Sequence, residues 1–343
     1  MEKNMIKVRE SNLELLRIVA MLLVLLVHYI PTRNEITPEN FQLDTWGTIL
    51  NIELKSLAFV CVDCFILVSG YFGIKFKFKS FANLLFQTAF WGIFCIAIAL
   101  YCPFIDVPQF NALKAFIESL SWGWFVKGYI ILFVMSPVLN AFIASVNAST
   151  LGKYLIIFYL LSTIGGYFLG FPDFRKGMSA LSLIGIYLTG AYLHKEGAIS
   201  LFKRGRKFNL SMYFIGGGIL LIINILLLLL GIKTSPYGYL NPVIILMSVY
   251  LFLYFKGLNM GYIHWINFLS ASAFSIYLFH CNVVLGAEIS NMWVHINAHF
   301  GKVSSLLLAC LSFIGIYLFC VMIDRVRIFL FNTICKVLES NKE

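Results

Sequence analysis

The segment NLELLRIVAMLLVLLVHYI, residues 12–30, decides the fold. It has the length and apolar character of a membrane-spanning helix, which needs about 20 such residues. It nevertheless carries Glu14, Arg17 and His28, and charged or titratable groups in a membrane usually face a polar cavity or a partner. Arg17 and His28 share one helical face and lie about 16 Å apart along the axis. Glu14, three residues before Arg17, can pair with it. The segment therefore predicts a helix that lines a polar groove at two depths.

The composition identifies an integral membrane protein. Of the 343 residues, 60% are hydrophobic and 12% are charged, and the mean hydropathy is +0.86. Soluble domains are about 45–50% apolar and about 25% charged. The net charge of +10 fits basic loops on the cytoplasmic side. It does not indicate nucleic-acid binding, because the sequence contains no compact basic domain.

The eight cysteines do not predict a disulfide framework or a metal site. Most of them fall in apolar runs, where cysteine behaves as a small hydrophobic residue. Cys61 and Cys64 form a single CxxC with no second Cys or His pair close in sequence, so we expect no zinc there. We expect no bound metal.

Hydropathy predicts a bundle of about ten transmembrane helices in a single membrane domain, residues 1–343, with no appended soluble domain. The predicted spans are residues 12–30, 56–74, 80–101, 124–146, 154–171, 178–194, 211–231, 238–256, 267–287 and 304–323. Lysine and arginine concentrate in alternate connecting segments, which predicts cytoplasmic N- and C-termini.

This topology predicts two polar layers. His28, Asp63, Lys127 and His280 come from four helices and fall in the outer half of the membrane, whereas Arg17 and the lysines at 75, 77 and 79 mark the inner side. A histidine beside a carboxylate is a common general-base pair, so His28 with Asp63 is the leading catalytic candidate.

Other roles for these residues stay open at this point. A membrane histidine more often hydrogen-bonds a neighbouring helix than takes part in chemistry. Asp63 could join helices through Lys127 or a histidine, and Arg17 could extend to the inner headgroups.

Four motifs resemble those of membrane-bound acyltransferase family 3. They are Glu14-Leu-Leu-Arg17 with His28, Val62-Asp63 leading to Ser69-Gly70, Trp124-Phe125 with Tyr129 and Pro137, and Ile276-Tyr-Leu-Phe-His280. They occur in the family's order on a ten-helix profile, and the resemblance covers essentially the whole chain.

The resemblance implies transfer of an acyl group, commonly acetyl, from cytoplasmic acyl-CoA to a hydroxyl of a glycan or lipid-linked saccharide. It implies a multi-pass protein of the bacterial plasma membrane, with acetyl-CoA as co-substrate and no permanently bound cofactor. By resemblance His28 is the catalytic histidine, supported by Asp63, and Arg17 is the essential arginine of the first helix. Ser69, Tyr129 and His280 fall in the other motifs; with Glu14 and Lys127 they are the predicted acceptor or supporting residues.

One segment departs from the family pattern. Many members carry Arg-x-x-Arg after the second helix, but here the segment contains Lys75, Lys77 and Lys79. Lysine meets phosphate as a point charge and lacks the planar fork of arginine. We predict that these lysines, with Arg17, bind the CoA phosphates. The alternative functions are a transporter or flippase of a small polar or glycolipid substrate, and a structural or receptor-like membrane protein.

Overall fold

The computed structural model describes residues 11–33, 35–101, 123–195, 204–232 and 235–340. Helices make up 84% of this part of the chain, and no strand occurs in it. The described helices, in chain order, are α1 (Ser11–Arg33), α2 (Pro38–Leu43), α3 (Thr45–Ala58), α4 (Cys61–Phe72), α5 (Phe78–Tyr101), α6 (Trp124–Ser145), α7 (Ala148–Thr163, continued by a π-helical turn at Ile164–Phe168), α8 (Pro172–Arg175), α9 (Ala180–His194), α10 (Arg206–Leu229), α11 (Pro242–Lys256), α12 (His264–Ser270), α13 (Ala273–His280), α14 (Leu285–His299) and α15 (Lys302–Ser340).

Six of these helices are long and apolar enough to cross a membrane: α1, α5, α6, α7 with its π turn, α10 and α15. A seventh span arises if the bent pair His264–His280 and Leu285–His299 counts as one. The all-helical membrane class is therefore confirmed. The count of ten, the cytoplasmic termini and the single-domain extent remain predictions.

Several predicted spans differ from the helices that form. The predicted span 267–287 is interrupted after Ser270, ends at His280, and is followed by α14 at an angle of 86°. The predicted span 304–323 is only part of α15, which has 39 residues. Within the predicted span 56–74, the helix is interrupted: α3 ends at Ala58 and α4 begins at Cys61.

Helix α1 lies at the centre of the bundle. It packs against α3, α4 and each of the helices from α11 to α15. Leu16, Ala20 and Leu25 on it have no exposed surface. Ser11, Asn12 and Glu14 of α1 are buried, so these polar side chains must meet other helices.

Helices α4 and α9 approach closely through a pair of glycines. A Cβ atom on Gly70 would lie 2.0 Å from the carbonyl oxygen of Tyr187, and one on Gly190 would lie 2.3 Å from that of Leu67. Both separations are far below van der Waals contact, so neither position accepts a side chain without moving backbone. Small residues permit such close crossings between membrane helices. Gly70 of the second-helix motif therefore serves helix packing.

A polar cluster holds the turn that leads from α4 to the lysine segment. The Tyr187 hydroxyl accepts from the Ile74 amide at 2.9 Å and donates to Asn140 Oδ1 at 2.7 Å. Asn140 Nδ2 donates to the Ile74 carbonyl at 2.8 Å, and Gly73 supplies the positive φ of 73°. Three helices thus fix where the segment after Ile74 begins.

Candidate functional site

One face of α1 lines a cavity of about 340 Å³. Arg17, Met21 and Val24 contribute from this helix, at the spacing of four and three residues that keeps side chains on one face. His28 continues the same face one turn beyond Val24. The predicted groove between Arg17 and His28 is therefore open from Arg17 to Val24.

The N-terminal end of α1 contributes a buried ion pair to this cavity. Arg17 Nη1 donates to Glu14 Oε1 at 3.1 Å, and Glu14 is 1% exposed. Ser270 also donates to the Glu14 carboxylate. The Arg17 side chain retains 22% exposure and lines the cavity, so its guanidinium can meet an anion there. The predicted pairing of Glu14 with Arg17 is present.

Two further predicted residues line the same cavity. Ser69 of α4 and Tyr129 of α6 both contribute to its wall. Lys127 lies two residues from Tyr129, toward the opposite side of α6, and is exposed. Lys127 is not part of this cavity.

The two histidines of the predicted outer layer meet directly. His28 Nδ1 lies 3.0 Å from His280 Nε2, and the ring centroids are 5.1 Å apart. His280 is buried at the end of α13, whereas His28 is exposed. The sequence predicted a similar depth for both residues, and the helix packing brings them into hydrogen-bond contact.

The protonation pattern of this pair follows from its hydrogen bonds. His280 Nδ1 lies 2.6 Å from the carbonyl oxygen of Ile276, which can only accept, so Nδ1 carries the proton. His280 Nε2 then has a lone pair and accepts from His28 Nδ1–H. The remaining nitrogen, His28 Nε2, has a free lone pair. A chain from Ile276 through His280 thus prepares His28 as a proton acceptor.

Asp63 does not form the predicted hydrogen-bonded pair with His28. Its carboxylate is completely buried, and Oδ2 accepts from Ser248 Oγ of α11 at 3.2 Å. His28 hydrogen-bonds instead with His280, and no hydrogen bond joins it to Asp63. Sequence indicated the depth of each group but not its direction around the helix axis. The group that orients His28 is His280.

Cys281 also contacts the histidine pair. Its Sγ lies 3.3 Å from His280 Nε2 and 3.8 Å from His28 Nδ1. Sequence analysis treated the cysteines as small hydrophobic residues and missed this one. Its position directly after His280, where α13 ends, was the available signal.

Lys75, Lys77 and Lys79, which replace the arginine pair of many family members, have different surroundings. Lys75 and Lys77 are exposed in the turn before α5, and Lys79 forms an ion pair with Glu339 of α15 at 3.0 Å. Lys79 also borders a second cavity of about 340 Å³, and Ala271 lines both this cavity and the first.

A buried arginine that sequence analysis missed borders this second cavity. Arg327 donates to both carboxylate oxygens of Asp324, at 2.9 and 3.0 Å, and to Asn83 Oδ1 at 2.7 Å. It is 4% exposed. It belongs to the part of α15 that lies beyond the predicted span.

A third cavity, of about 420 Å³, opens at the other end of α1. Ile30 and Pro31 line it together with Glu35, Glu39 and Lys55. Ile30 points about 200° away from His28 around the helix. Neither His28 nor His280 lines this third cavity.

Comparison with protein families agrees with the motifs. The family model described as an acyltransferase domain, that of acyltransferase family 3, matches residues 10–325. No curated protein and no solved structure gives a significant match. The matched region includes α1, both histidines and the walls of the first cavity. The chain belongs to acyltransferase family 3.

Proposed function

We propose that this protein is a membrane O-acyltransferase that moves an acetyl group from cytoplasmic acetyl-CoA to a hydroxyl group of a glycan. The observation that carries the proposal is the His280–His28 pair, which leaves His28 Nε2 as a proton acceptor. His28 lies one helical turn beyond Val24, on the face of α1 that lines the cavity together with Arg17. Family membership supports acyl transfer as the reaction class.

In the proposed reaction His28 acts as general base and then as general acid. Its Nε2 takes the proton of the acceptor hydroxyl, and the oxygen attacks the thioester carbonyl. The carbon–sulfur bond breaks, CoA leaves as a thiolate, and the imidazolium returns the proton to it. The products are the acetyl ester and CoA thiol.

His280 stabilises the imidazolium in this scheme. When Nε2 of His28 gains a proton, its Nδ1–H becomes a stronger donor to His280 Nε2. Hydrogen bonds to a charged group contribute about 1.5–3 kcal/mol, compared with about 0.5–1.5 kcal/mol for typical neutral ones. His280 therefore stabilises the charged form more than the resting form, as a catalytic group must.

The proposed donor site extends inward from the histidines. The first cavity would hold the pantetheine arm, with Arg17, Ser69 and Tyr129 along it. The second cavity and the lysine segment would hold the nucleotide and its phosphates, through Lys75, Lys77 and Lys79, with Arg327 as a further candidate. Arginine suits this role because its fork matches phosphate geometry.

The acceptor is proposed to be a surface or exported polysaccharide, or its lipid-linked precursor, at the bacterial plasma membrane. Mass spectrometry of surface glycans from cells with and without this protein tests this assignment. We expect one additional acetyl mass per modified unit in cells that contain the protein, and no such mass in cells that carry His28→Ala. Identical glycans in all three would refute the assignment.

Two other schemes make different predictions. A transient acetyl-His28 would appear as a covalent adduct when the purified protein meets acetyl-CoA without an acceptor, whereas direct transfer leaves the protein unmodified. A transporter or flippase would move its substrate without consuming acetyl-CoA.

A further inference from the structure

A cluster of three metal-binding side chains lies at the break between α13 and α14. We propose that His28, His280 and Cys281 form a binding site for Zn²⁺. Their ligand atoms are two imidazole nitrogens and one sulfur, the donor types that zinc prefers in proteins. This site is separate from the CxxC of Cys61 and Cys64.

The spacing of the ligand atoms fits one ion. In a tetrahedral site with Zn–N of about 2.0–2.1 Å and Zn–S of about 2.3 Å, ligand atoms lie about 3.3–3.6 Å apart. The nitrogens of His28 and His280 are 3.0 Å apart, and Cys281 Sγ lies 3.3 and 3.8 Å from them. An ion can therefore contact all three after shifts of a few tenths of an ångström.

The surroundings also resemble those of a metal site. Ligating histidines usually donate their second N–H to a backbone carbonyl or carboxylate, and His280 Nδ1 does so to Ile276. Three protein ligands leave a fourth position for water or another ligand. His28 is exposed, so one side of the cluster is accessible.

Zinc binding would change the state of His28. Coordination by Nδ1 requires that nitrogen to lose its proton, and the neutral ring then carries its proton on Nε2. Cys281 binds as a thiolate and releases one proton to solvent. Nε2 of His28 then has no lone pair for an acceptor hydroxyl. Zinc would therefore act as a reversible inhibitor of acetyl transfer. This inhibition rests on the proposed function, whereas the binding site itself does not.

Cobalt titration of the purified full-length protein in lipid nanodiscs tests the site. Co²⁺ replaces Zn²⁺ in tetrahedral sites and shows a thiolate-to-metal charge-transfer band only when sulfur is a ligand. The variants are Cys281→Ser and the matched control Cys310→Ser, an exposed cysteine on α15. We expect the band in the wild type and in Cys310→Ser, its displacement by Zn²⁺, and its loss in Cys281→Ser.

The Zn²⁺ affinities of the two variants provide a second test of the site. Loss of groups that merely support a metal ligand weakens binding by about 10–100-fold. We therefore expect Cys281→Ser to weaken Zn²⁺ binding by about 100-fold or more. A wild type without the thiolate band, or equal affinities in both variants, would overturn the site. Tight zinc binding with undiminished acetyl transfer would overturn the inhibition alone. If the protein shows no acetyl transfer at all, the proposed function fails, and the titration still decides the zinc site.

Discussion

Replacement of His280 tests the proposed arrangement of the histidine pair. In His280→Ala, His28 Nδ1–H loses the acceptor that lies 3.0 Å away. The ring can then rotate or carry its proton on Nε2, and the imidazolium formed during transfer has no partner. We expect a lower kcat with an unchanged KM for acetyl-CoA, because Arg17, Ser69 and Tyr129 of the proposed donor site stay in place.

The size of the effect follows from the single hydrogen bond that is removed. A hydrogen bond to a charged group contributes about 1.5–3 kcal/mol. At about 1.36 kcal/mol per tenfold change in rate, its loss lowers kcat by about 10- to 150-fold. Replacement of His28 itself removes general-base catalysis and should cost about 10²–10⁴-fold.

The assay measures CoA thiol released by purified protein at saturating acceptor. His280→Gln is the conservative variant, because its side-chain oxygen can accept from His28, and we expect it to recover part of the rate. His299→Ala is the matched control, since His299 is an exposed histidine on α14. Full activity in His280→Ala, or an effect confined to the KM for acetyl-CoA, would refute the role of His280.

Three further predictions concern packing, the donor site and pH. Gly70→Ala should destabilise the protein by about 1–3 kcal/mol or more, because its Cβ would meet backbone, whereas Gly218→Ala, with open space around it, should not; thermal unfolding in detergent distinguishes them. Arg17→Gln should raise the KM for acetyl-CoA, and adding Glu14→Gln should restore stability but not affinity, as donor titrations would show. The hydrogen bond from Lys302 lowers the pKa of Asp44. The stabilisation from this carboxylate is therefore present above the pKa that Asp44 has in the unfolded chain, and it is lost as the pH falls through the pKa in the folded protein. Asp44→Asn should consequently show a smaller acid-induced drop in Tm than the wild type.

The part of the site around Arg17 could be predicted from local sequence spacing. The ion pair of Glu14 and Arg17 needs only the geometry of one helix, and the shared face of Arg17 and His28 follows from 100° per residue. The cavity along that face agrees with this prediction.

The partner of His28 could not be predicted in the same way. Topology orders residues by depth in the membrane, and Asp63 and His280 fall at similar depths. It does not say which way each helix turns its side chains, because that depends on packing such as the glycine contact between α4 and α9. Asp63 consequently meets Ser248, and His280 meets His28.

Helix ends were predicted poorly where the usual signals were missing. The turn at 281–284 contains neither glycine nor proline. Its local signal for the 86° bend is Asn282, whose Oδ1 accepts from the amides of Val284 and Leu285 at the start of α14. At the other end of the domain, Asp324 and Arg327 interrupt the apolar pattern and suggested the end of a span. They pair with each other within the continuing helix α15, which placed Arg327 beside a cavity.

The most direct test of the account is the rate of acetyl transfer by the purified protein with and without the His28 side chain. Labelled acetyl-CoA and a hydroxyl acceptor are supplied, and both CoA thiol and acetylated acceptor are measured. We predict equal amounts of the two products from the wild type and from His299→Ala, and a rate about 10²–10⁴-fold lower from His28→Ala. Undiminished transfer by His28→Ala, or substrate movement without release of CoA, would contradict the account.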